Sequence, residues 1–447
     1  MSAHPQVRLV VLTYNGRDHV VRCFDHLHAL DWPRDRLELL LVDNGSRDGS
    51  SELVSESFPD VRVIRMTRNI GFPANNLALT DLEGCDYVGL VNDDAFVAPD
   101  YLTPLVETLE ADPELGAACP KMLFDSKFVD LHLETTATRP GRGDPRSLGV
   151  RISGLSVRER NVWRRAYVAT GGRGRETARS GAYEWTGERA VVQVPIGAGG
   201  EMPDDAEILL SAPEPKEVSL GVGNRKVIVP VDAESVWCPA PLSGEPYDVI
   251  NNAGSIVLAD GHGADRGFGE PDGPAFAEAS DVFAWCGGAV LLRATYLQDT
   301  GLFDERFFLY YEDTDLAWRG KARGWRYRYV PDSVVRHLHA TTTVAGSSSF
   351  AYFTERNRLL MLLKNAPPSM VREIVGDYIG KTYDAARRDV VAALVQGRRP
   401  NSLPVMRRLR ALVGFAHLVP HIVLDRSTVR GRRRISDDAL LDQLTPV

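Results

Sequence analysis

The chain has few of the features that mark disulfide-stabilised, zinc-binding or membrane-spanning proteins. Its 447 residues include five scattered cysteines that never form a CxxC pair, at positions 23, 85, 119, 238 and 286. An odd number at such spacing argues against a disulfide scaffold and a structural zinc site, and it favours a reducing cytoplasm. The longest apolar stretch near the C-terminus, residues 411–424, is too short to span a bilayer and contains His417 and Pro420.

An excess of positive charge is missing as well. The chain carries 52 basic and 60 acidic residues, a net charge of −8, which gives the whole molecule no general attraction for nucleic acid. An apolar strand is predicted within about ten residues of the N-terminus with no basic region before it, so no signal peptide is expected. Length and composition indicate a soluble enzyme of two or three domains.

The sequence does contain apolar strands that each end in a polar loop. Strands are predicted at residues 7–12, 37–42, 61–66 and 87–91, and helices at 17–30, 50–58 and 73–82. The loops read VVLTYNG (10–16), LVDNGSRDGS (41–50), RNIGFPANN (68–76) and LVNDD (90–94). This alternation predicts a parallel, doubly wound α/β sheet that binds its ligand at the carboxyl ends of the strands.

A second acidic cluster lies in GLFDERFFLYYEDTDLAWR (301–319). Glu312, Asp313 and Asp315 are expected in the first turn of a helix, whose dipole favours ionised carboxylates there. The i, i+4 pair of Asp315 and Arg319 is interpreted as a surface salt bridge. An acidic first turn without a catalytic role remains the alternative interpretation of the whole cluster.

These five segments, in this order, resemble the family 2 glycosyltransferases of GT-A type, and more closely their bacterial rhamnosyltransferase and galactofuranosyltransferase-like branch. The resemblance covers roughly residues 6–125 and 246–365. It implies a Rossmann-like, mostly parallel GT-A sheet and an inverting, metal-dependent enzyme. Such an enzyme would transfer a hexosyl, rhamnosyl or galactofuranosyl group from a UDP- or dTDP-sugar to a hydroxyl of a surface polysaccharide or lipid-linked glycan.

The resemblance also implies which residues bind the nucleotide. Asp43 matches the position that contacts the nucleobase edge, Thr13 and Tyr14 match those that cradle the base, and Arg68 with Asn69 matches the base and ribose contacts. Turn chemistry alone also explains Asp43, because Asn-Gly and Asp-Gly pairs follow it.

For the metal, NDD (92–94) stands at the family's DxD position. Asp94 is the expected ligand of a Mn²⁺ or Mg²⁺ ion, with Asn92 and Asp93 in support, although Asn92 replaces the family's first Asp. In VVRHLHATTT (334–343), either His337 or His339 is expected to contact the metal or the diphosphate; the two would point the same way on a strand.

For the reaction, the resemblance implies that Asp313 is the general base and that Glu312 positions the acceptor. Gly287 and Gly288 would let the backbone approach the donor sugar closely, although a plain strand-entry turn explains them almost as well.

The chain departs from the family in an insert of about 120 residues. The predicted regions are 1–125 and 246–345, which form the two GT-A halves, a β-rich insert at 126–245, and a helical C-terminal region at 346–447. Short apolar runs between turns predict an antiparallel sandwich or barrel for the insert. Five aromatic residues there would stack on sugars or fill the insert's own core: Trp163, Tyr167, Tyr183, Trp185 and Trp237.

Arginines surround residues 411–424 in the C-terminal region. This basic amphipathic pattern suggests contact with the anionic inner face of the cell membrane, with an oligomer contact or a solvated helical hairpin as alternatives.

Two other functions stay open for the whole chain: a catalytically silent nucleotide- or glycan-binding module, and a nucleotidyltransferase. VVLTYNG lacks the Gly-rich, Arg/Lys-bearing loop of the latter. A processive synthase is disfavoured because no QxxRW segment is present.

Overall fold

The computed structural model describes residues 4–139, 146–178, 181–338, 347–397 and 399–447. They form two compact units. The first, here the α/β unit, comprises Met1–Met122, Asn252–Arg266 and Pro274–Val447. The second, here the β unit, comprises Leu123–Asn251 and Gly267–Gly273.

Strands and helices alternate in the first part of the chain. They are β1 Val7–Thr13, α1 Val20–His28, β2 Leu37–Asp43, α2 Ser50–Ser57, β3 Arg62–Arg65, α3 Asn76–Leu79, β4 Tyr87–Asn92, β5 Ala95–Val97, α4 Leu102–Ala111 and β6 Leu115–Phe124. The four predicted strands are confirmed to within one residue at each end. The helix predicted at 73–82 is shorter, because a 3₁₀ turn at Phe72–Asn75 precedes α3.

The β unit contains the strands of the insert. They are β7 Lys127–Thr135, β8 Arg151–Val157, β9 Arg160–Asn161, β10 Tyr167–Ala178, β11 Gly181–Gly197, β12 Ala206–Ser211, β13 Lys216–Leu220, β14 Val227–Val231, β15 Val236–Pro239 and β16 Ser243–Tyr247. The long β11 pairs antiparallel with β8 through Glu184–Trp185 and with β7 through Arg189–Gly197. Its buried Val192 and Val194 share one apolar core with residues of both neighbours.

Trp163 belongs to that core. Its side chain is only 4% exposed, and the guanidinium carbon of Arg175 lies 4.2 Å from the ring centroid. The ring therefore fills the core of the insert and is not available to stack on a sugar. Trp237, by contrast, is 44% exposed.

The rest of the chain adds strands and then helices. They are β17 Ile250–Asn252, β18 Ser255–Val257, β19 Gly263–Asp265, β20 Ser280–Val282, β21 Ala289–Arg293, α5 Ala294–Thr300, α6 Glu312–Ala322, β22 Arg326–His337, α7 Ser348–Asn365, α8 Pro368–Ala386, α9 Ala392–Val395, α10 Leu403–Gly431 and α11 Asp437–Leu441. Among the residues with described positions, no helix is both long and apolar enough to cross a membrane.

The sheet of the α/β unit runs in the order β20-β22-β6-β21-β4-β1-β2-β3. β1 pairs in parallel with β2 and β4, and β2 with β3, whereas β21 is antiparallel to β4 and β6. The sheet is therefore mixed, with a parallel half. The α/β fold class with a β-rich insert and C-terminal helices is confirmed.

The parallel register brings three polar strand ends to one edge of the sheet. Thr13 pairs with Asp43, and Leu12 pairs with Asn92. Ligands of open α/β sheets bind at this edge, where the strands have stopped and loops and helix ends supply polar groups.

Candidate active site

Asp93, directly after the end of β4, is held by the last residue of β1 and by residues that follow that strand. The Thr13 hydroxyl donates a hydrogen bond of 2.5 Å to Asp93 Oδ2, and His19 Nε2 lies 3.7 Å from Asp93 Oδ1. A Cβ atom at Gly16 would lie 2.0 Å from Asp93 Oδ2, so only glycine fits there. Burial, together with the charge of Asp94, raises the pKa of Asp93 to about 7.

This geometry changes how Thr13 is understood. Its side chain was expected to cradle a nucleobase, but it is buried and its hydroxyl is directed at Asp93. The neighbouring Tyr14, in contrast, is 38% exposed.

Asp94 meets His337, the last residue of β22. Asp94 Oδ1 and His337 Nε2 are 3.0 Å apart, and both side chains are buried. The backbone fixes the pair, because the Leu338 N–H donates to the Asp94 carbonyl and His337 pairs with Ala95. Burial alone would lower the pKa of His337, but the charge and hydrogen bond of Asp94 raise it overall.

The Asp94 and His337 pair fits two ligands of one divalent ion. A separation of 3.0 Å is that of neighbouring ligand atoms on an octahedral ion with bonds of about 2.1 Å. No group of three or more His, Cys, Asp or Glu side chains suited to a metal occurs in the described parts of the chain.

Asn92 lies beside Gly288, and the Gly288 carbonyl accepts a hydrogen bond from the Asn92 N–H. His339 lies outside the described residues.

The loop after β2 is fastened to the loop after β3. Asp43 is buried and its Oδ1 accepts from the Ser46 N–H at 2.8 Å, as in an Asx turn. Asn44 Oδ1 accepts from the Ile70 N–H at 2.9 Å, and its Nδ2 donates to Asn69 Oδ1 at 3.0 Å. Arg68 is exposed beside this junction. Asn44, which the sequence analysis did not select, thus holds the predicted nucleotide-binding residues together.

Asp313 lies in the first turn of α6 and is only partly exposed. Its Oδ2 accepts from the Gly287 N–H at 3.1 Å and its Oδ1 from the Thr314 N–H at 2.6 Å. Burial raises the pKa of Asp313, and these hydrogen bonds partly oppose the rise. Gly287 therefore contacts the predicted base through its backbone, while a Cβ there would lie 2.5 Å from the Phe72 ring.

Glu312, next to Asp313, is 4% exposed. Its Oε2 has no hydrogen-bond partner among the residues that the structure describes. Burial raises the pKa of Glu312 well above its usual value, and the charge of Asp313 adds to the rise. Glu312 is therefore protonated under conditions in which an exposed glutamate is ionised.

Asp265, at the end of β19, is a candidate that the sequence analysis missed. Asp265 is an exposed residue, and partial desolvation by the protein groups around it raises its pKa; the Asn252 amide, which donates a hydrogen bond of 2.6 Å, lowers the pKa, and the charge of Asp313 raises it. The charge of His337 acts on Asp265 as well. The only sequence signal was an acid among glycines in GHGADRG (261–267).

The loop before α6 is held by α7. Asn357 Nδ2 donates to the carbonyl groups of Phe307, Leu309 and Tyr310, each at 2.8 Å. Tyr310 and Tyr311 have φ of +69°, a conformation that side chains disfavour and that these bonds stabilise. The backbone that delivers Glu312 and Asp313 is thus fixed by a residue about 45 positions later in the chain.

The pair of Asp315 and Arg319 is not a surface salt bridge. Asp315 is fully buried, and its carboxylate also accepts from Lys364 Nζ at 2.9 Å and Asn365 Nδ2 at 2.8 Å. The surface interpretation was wrong because the partners on α7 cannot be recognised from i, i+4 spacing. Asp315 joins α6 to α7, away from solvent.

Two family models match the chain. "Glycosyl transferase family 2" matches residues 9–164, and "Glycosyltransferase like family 2" matches residues 272–361. Together they cover the strand ends of the parallel half, the Gly287–Gly288 turn, the first turn of α6 and Asn357.

Curated relatives match shorter segments. The chain is 28% identical to an N-acetylglucosaminyltransferase of Bradyrhizobium elkanii over 128 residues, 28% of this chain and 69% of the relative. It is 43% identical over 60 residues, 13% of this chain, to an N-acetylglucosaminyl-diphospho-decaprenol L-rhamnosyltransferase of Mycobacterium tuberculosis. A cellulose synthase catalytic subunit of Pseudomonas fluorescens is 28% identical over 144 residues, 31% of this chain. The match spans only about a fifth of each of the last two relatives: 20% and 19%.

Solved structures resemble the chain over most of its length. GalNAc-T7 with UDP, GalNAc and Mn²⁺ has 13% identity and a TM-score of 0.47, covering 96% of this chain and 58% of that chain. Mannosyltransferase PcManGT from Pyrobaculum calidifontis with GDP-Man and Mn²⁺ has 16% identity and a TM-score of 0.40, covering 96% and 86%.

Proposed function

We propose that this chain, which carries glycosyltransferase family 2 domains, transfers a sugar with inversion from a nucleoside diphosphate sugar to an acceptor hydroxyl. The observation that carries the proposal is Asp313, a partly exposed carboxylate held in place by the Gly287 and Thr314 N–H groups. The charge of Asp313 raises the pKa of two neighbouring carboxyl groups, those of Glu312 and Asp265.

Asp313 is proposed as the general base. As the acceptor oxygen attacks the anomeric carbon, its proton passes to the Asp313 carboxylate while the bond from that carbon to the diphosphate oxygen breaks. A carboxylate whose pKa is raised is a stronger base than an exposed aspartate, and this suits proton removal near neutral pH. A protonated Glu312 can donate a hydrogen bond, which supports its proposed role in positioning the acceptor.

Asp94 and His337 are the proposed protein ligands of a Mn²⁺ or Mg²⁺ ion, with Asn92 and Asp93 in support and His339 as the alternative histidine. When bound, such an ion would neutralise the charge that develops on the diphosphate leaving group.

The proposed donor is a UDP- or dTDP-sugar carrying a hexosyl, rhamnosyl or galactofuranosyl group. Its nucleotide would lie between Tyr14, Asp43 and the loop of Arg68 and Asn69. The match to a rhamnosyltransferase supports the rhamnosyl option.

A lipid-linked or surface-polysaccharide acceptor would be presented at a membrane, and the C-terminal helices are the proposed contact. Residues 379–424 contain eight Lys or Arg and two Asp in a chain of net charge −8. Large apolar side chains more than 40% exposed in this part are Ile379, Tyr383, Val391, Leu394, Val395, Leu403, Met406, Leu409, Val413, Val423 and Leu424. Basic groups beside exposed apolar groups fit an anionic bilayer surface.

Co-sedimentation with vesicles of anionic and of neutral lipid tests this contact. We expect pelleting with anionic vesicles that is lost when Val395 and Val413 are both replaced by Asp. The matched control is Ile228→Asp, since Ile228 is 63% exposed but lies in the β unit. Equal pelleting of all variants would contradict the membrane proposal. If the wild type self-associates and does not bind vesicles, the C-terminal helices would instead form a homo-oligomer contact.

The four regions retain their proposed roles: the GT-A halves at 1–125 and 246–345, the insert at 126–245 and the C-terminal region at 346–447. For the insert we propose recognition of the acceptor glycan or of a partner. The exposed Trp237 supports this, and Trp237→Ala should then weaken transfer to the natural acceptor without changing nucleotide binding.

Calorimetric titration of UDP, dTDP and GDP into the protein, with and without Mn²⁺, tests the enzyme proposal. We expect one nucleotide to bind in a metal-dependent way and Asp94→Ala to abolish the metal dependence. Release of that nucleotide from its sugar conjugates would then identify the donor, and EDTA should stop it. Absence of binding by any nucleotide would favour the silent glycan-binding module.

A further inference from the structure

A cavity of about 420 Å³ lies in the α/β unit among α7, α8, α10 and the turn between β18 and β19. It is separate from the carboxylates described above. Cavities of this size are typical of small-ligand sites. Residues of its lining that carry the argument are Asp260, His262, Arg358, Tyr378 and Arg408.

In the part of the chain that the structure describes, two buried hydrogen-bond donors in this lining lack partners, and so does the acceptor Glu355 Oε2, which lies 3.6 Å from a guanidinium nitrogen of Arg358. Tyr378 is 2% exposed and Arg358 is 8% exposed. Neither the Tyr378 hydroxyl nor Arg358 Nε has a hydrogen-bond partner within the described residues. Buried polar groups are normally satisfied, so these two indicate a partner that the described protein groups do not supply.

The charges of the lining select against an ionic ligand. Four acidic side chains (Asp260, Glu355, Glu373 and Asp377) face four basic ones (His262, Arg358, Lys381 and Arg408). Pairs within it are already close, since His262 Nδ1 lies 3.0 Å from Asp260 Oδ2. Carboxylates accept hydrogen bonds and guanidinium groups donate them. Hydroxyl groups can do both, so they can pair with either kind of side chain. A neutral saccharide matches this lining better than an anion or a cation does.

The cavity is connected to the proposed reaction centre by β19. His262 lines the cavity, the adjacent Gly263 N–H donates to the Tyr311 hydroxyl at 3.1 Å, and Asp265 lies three residues beyond His262. Three extended residues span roughly 10 Å. Tyr311 itself precedes Glu312 and Asp313. The cavity therefore lies within the reach of one short oligosaccharide from the proposed base.

We propose that this cavity binds a neutral sugar unit of the acceptor, removed from the hydroxyl that reacts at Asp313. The proposal rests on the glycosyltransferase function and adds a second, acceptor-recognising site built from the C-terminal helices. Arg408, whose guanidinium carbon lies 4.3 Å from the Tyr378 ring centroid, orients that ring towards the sugar.

Ligand-observed NMR with the full chain saturated with UDP tests the proposal. The probes are neutral methyl glycosides of glucose, galactose, rhamnose and N-acetylglucosamine and their disaccharides, with inorganic phosphate as the ionic comparison. We expect at least one saccharide to bind, and Tyr378→Phe and Arg408→Gln each to weaken that binding roughly three- to tenfold. The control Arg388→Gln, at an arginine whose side chain is 73% exposed and pairs with Asp389, should leave it unchanged.

Each other outcome overturns the inference. Saccharide binding that both cavity variants leave intact, binding of phosphate alone, or no saccharide binding would show that the cavity is not an acceptor subsite. UDP titration of the same samples separates this from failure of the proposed function, because a chain that binds UDP but no saccharide loses only the subsite. Thermal melts of Tyr378→Phe and Arg408→Gln identify a variant that fails to fold, and the remaining one then decides.

Discussion

Asp94 Oδ1 and His337 Nε2 lie 3.0 Å apart although 243 positions separate the two residues in the chain. The antiparallel pairing of β5 with β22 creates this contact, because it aligns Ala95 with His337 immediately beside Asp94. Strand β22, which follows α6, therefore returns to the end of β4, where the NDD sequence (92–94) lies. Both halves of the α/β unit contribute to the proposed metal site.

His337→Ala is expected to weaken Mn²⁺-dependent nucleotide binding by about tenfold or more, because loss of an imidazole leaves Asp94 as the remaining member of the pair. Calorimetry with and without Mn²⁺ measures this. His28→Ala is a matched control, since His28 Nε2 lies 3.1 Å from Asp60 in a His–Asp pair whose side chains are 20% and 64% exposed. Equal metal dependence in His337→Ala and wild type would exclude His337 as a ligand.

Asp313→Asn should lower the rate of transfer by roughly 10²-fold or more while nucleotide binding is retained, because the amide cannot accept the acceptor proton. Asp281→Asn, at a surface ion pair with Arg328, is the control that should keep full activity. Release of nucleoside diphosphate and calorimetric titration measure the two properties separately. Full residual activity of Asp313→Asn would remove it as the base.

The same residue sets a pH dependence. Burial raises the pKa of Asp313, and the proposed base can act only when it is deprotonated. The rate should therefore fall as pH decreases through that raised pKa, which is above the value of an exposed aspartate, about 3.9. A profile of kcat against pH checks the position of the acidic limb. A limb at the value of an exposed aspartate would contradict the desolvated environment of Asp313.

Much of this site could be predicted from local sequence. The residues that could not be predicted have one property in common: their contacts are with residues far away in the chain. The ends of β1, β2 and β4 follow from short apolar runs and Asx turns, which are local signals. The pKa of Asp265 depends on Asn252 and on the charges of Asp313 and His337, and the hydroxyl of Thr13 is directed at Asp93, 80 positions later. Single-sequence patterns carry no information about such distant partners.

Glu312→Gln tests whether Glu312 is held protonated. A carboxyl group whose pKa is raised by folding binds its proton more tightly in the folded state, so it lowers stability as pH rises above the unfolded value of about 4.3. Glutamine does not ionise, so the Glu312→Gln variant does not lose this stability as pH rises. The variant should gain stability relative to wild type with increasing pH, by about 1–3 kcal/mol. Urea unfolding from acidic to neutral pH measures the difference, with the exposed Glu207→Gln as control. Parallel stability curves for Glu312→Gln and wild type would contradict the prediction.

Asp315→Ala is expected to cost about 3–5 kcal/mol of stability, because it leaves Arg319 and Lys364 buried without the carboxylate that they share. The i, i+4 pair of Asp377 and Lys381 is the control, since its side chains are 52% and 67% exposed. Asp377→Ala should cost only about 0.5 kcal/mol. Denaturant unfolding compares the two, and similar losses would show that Asp315 behaves as a surface residue after all.

Gly71→Ala tests the contact between the loop after β3 and the loop before α6. Gly71 has φ of +82°, and a Cβ there would lie 1.8 Å from the Phe308 carbonyl oxygen, which accepts from the Phe72 N–H at 2.7 Å. Gly84 has φ of +71° with no atom within 4 Å, so Gly84→Ala carries the backbone strain without the clash. We expect Gly84→Ala to cost about 1 kcal/mol and Gly71→Ala on the order of 3 kcal/mol or more, together with loss of nucleotide binding. Equal costs in thermal and denaturant unfolding would mean that the close approach to Phe308 is not needed to hold the Arg68–Asn69 loop in place.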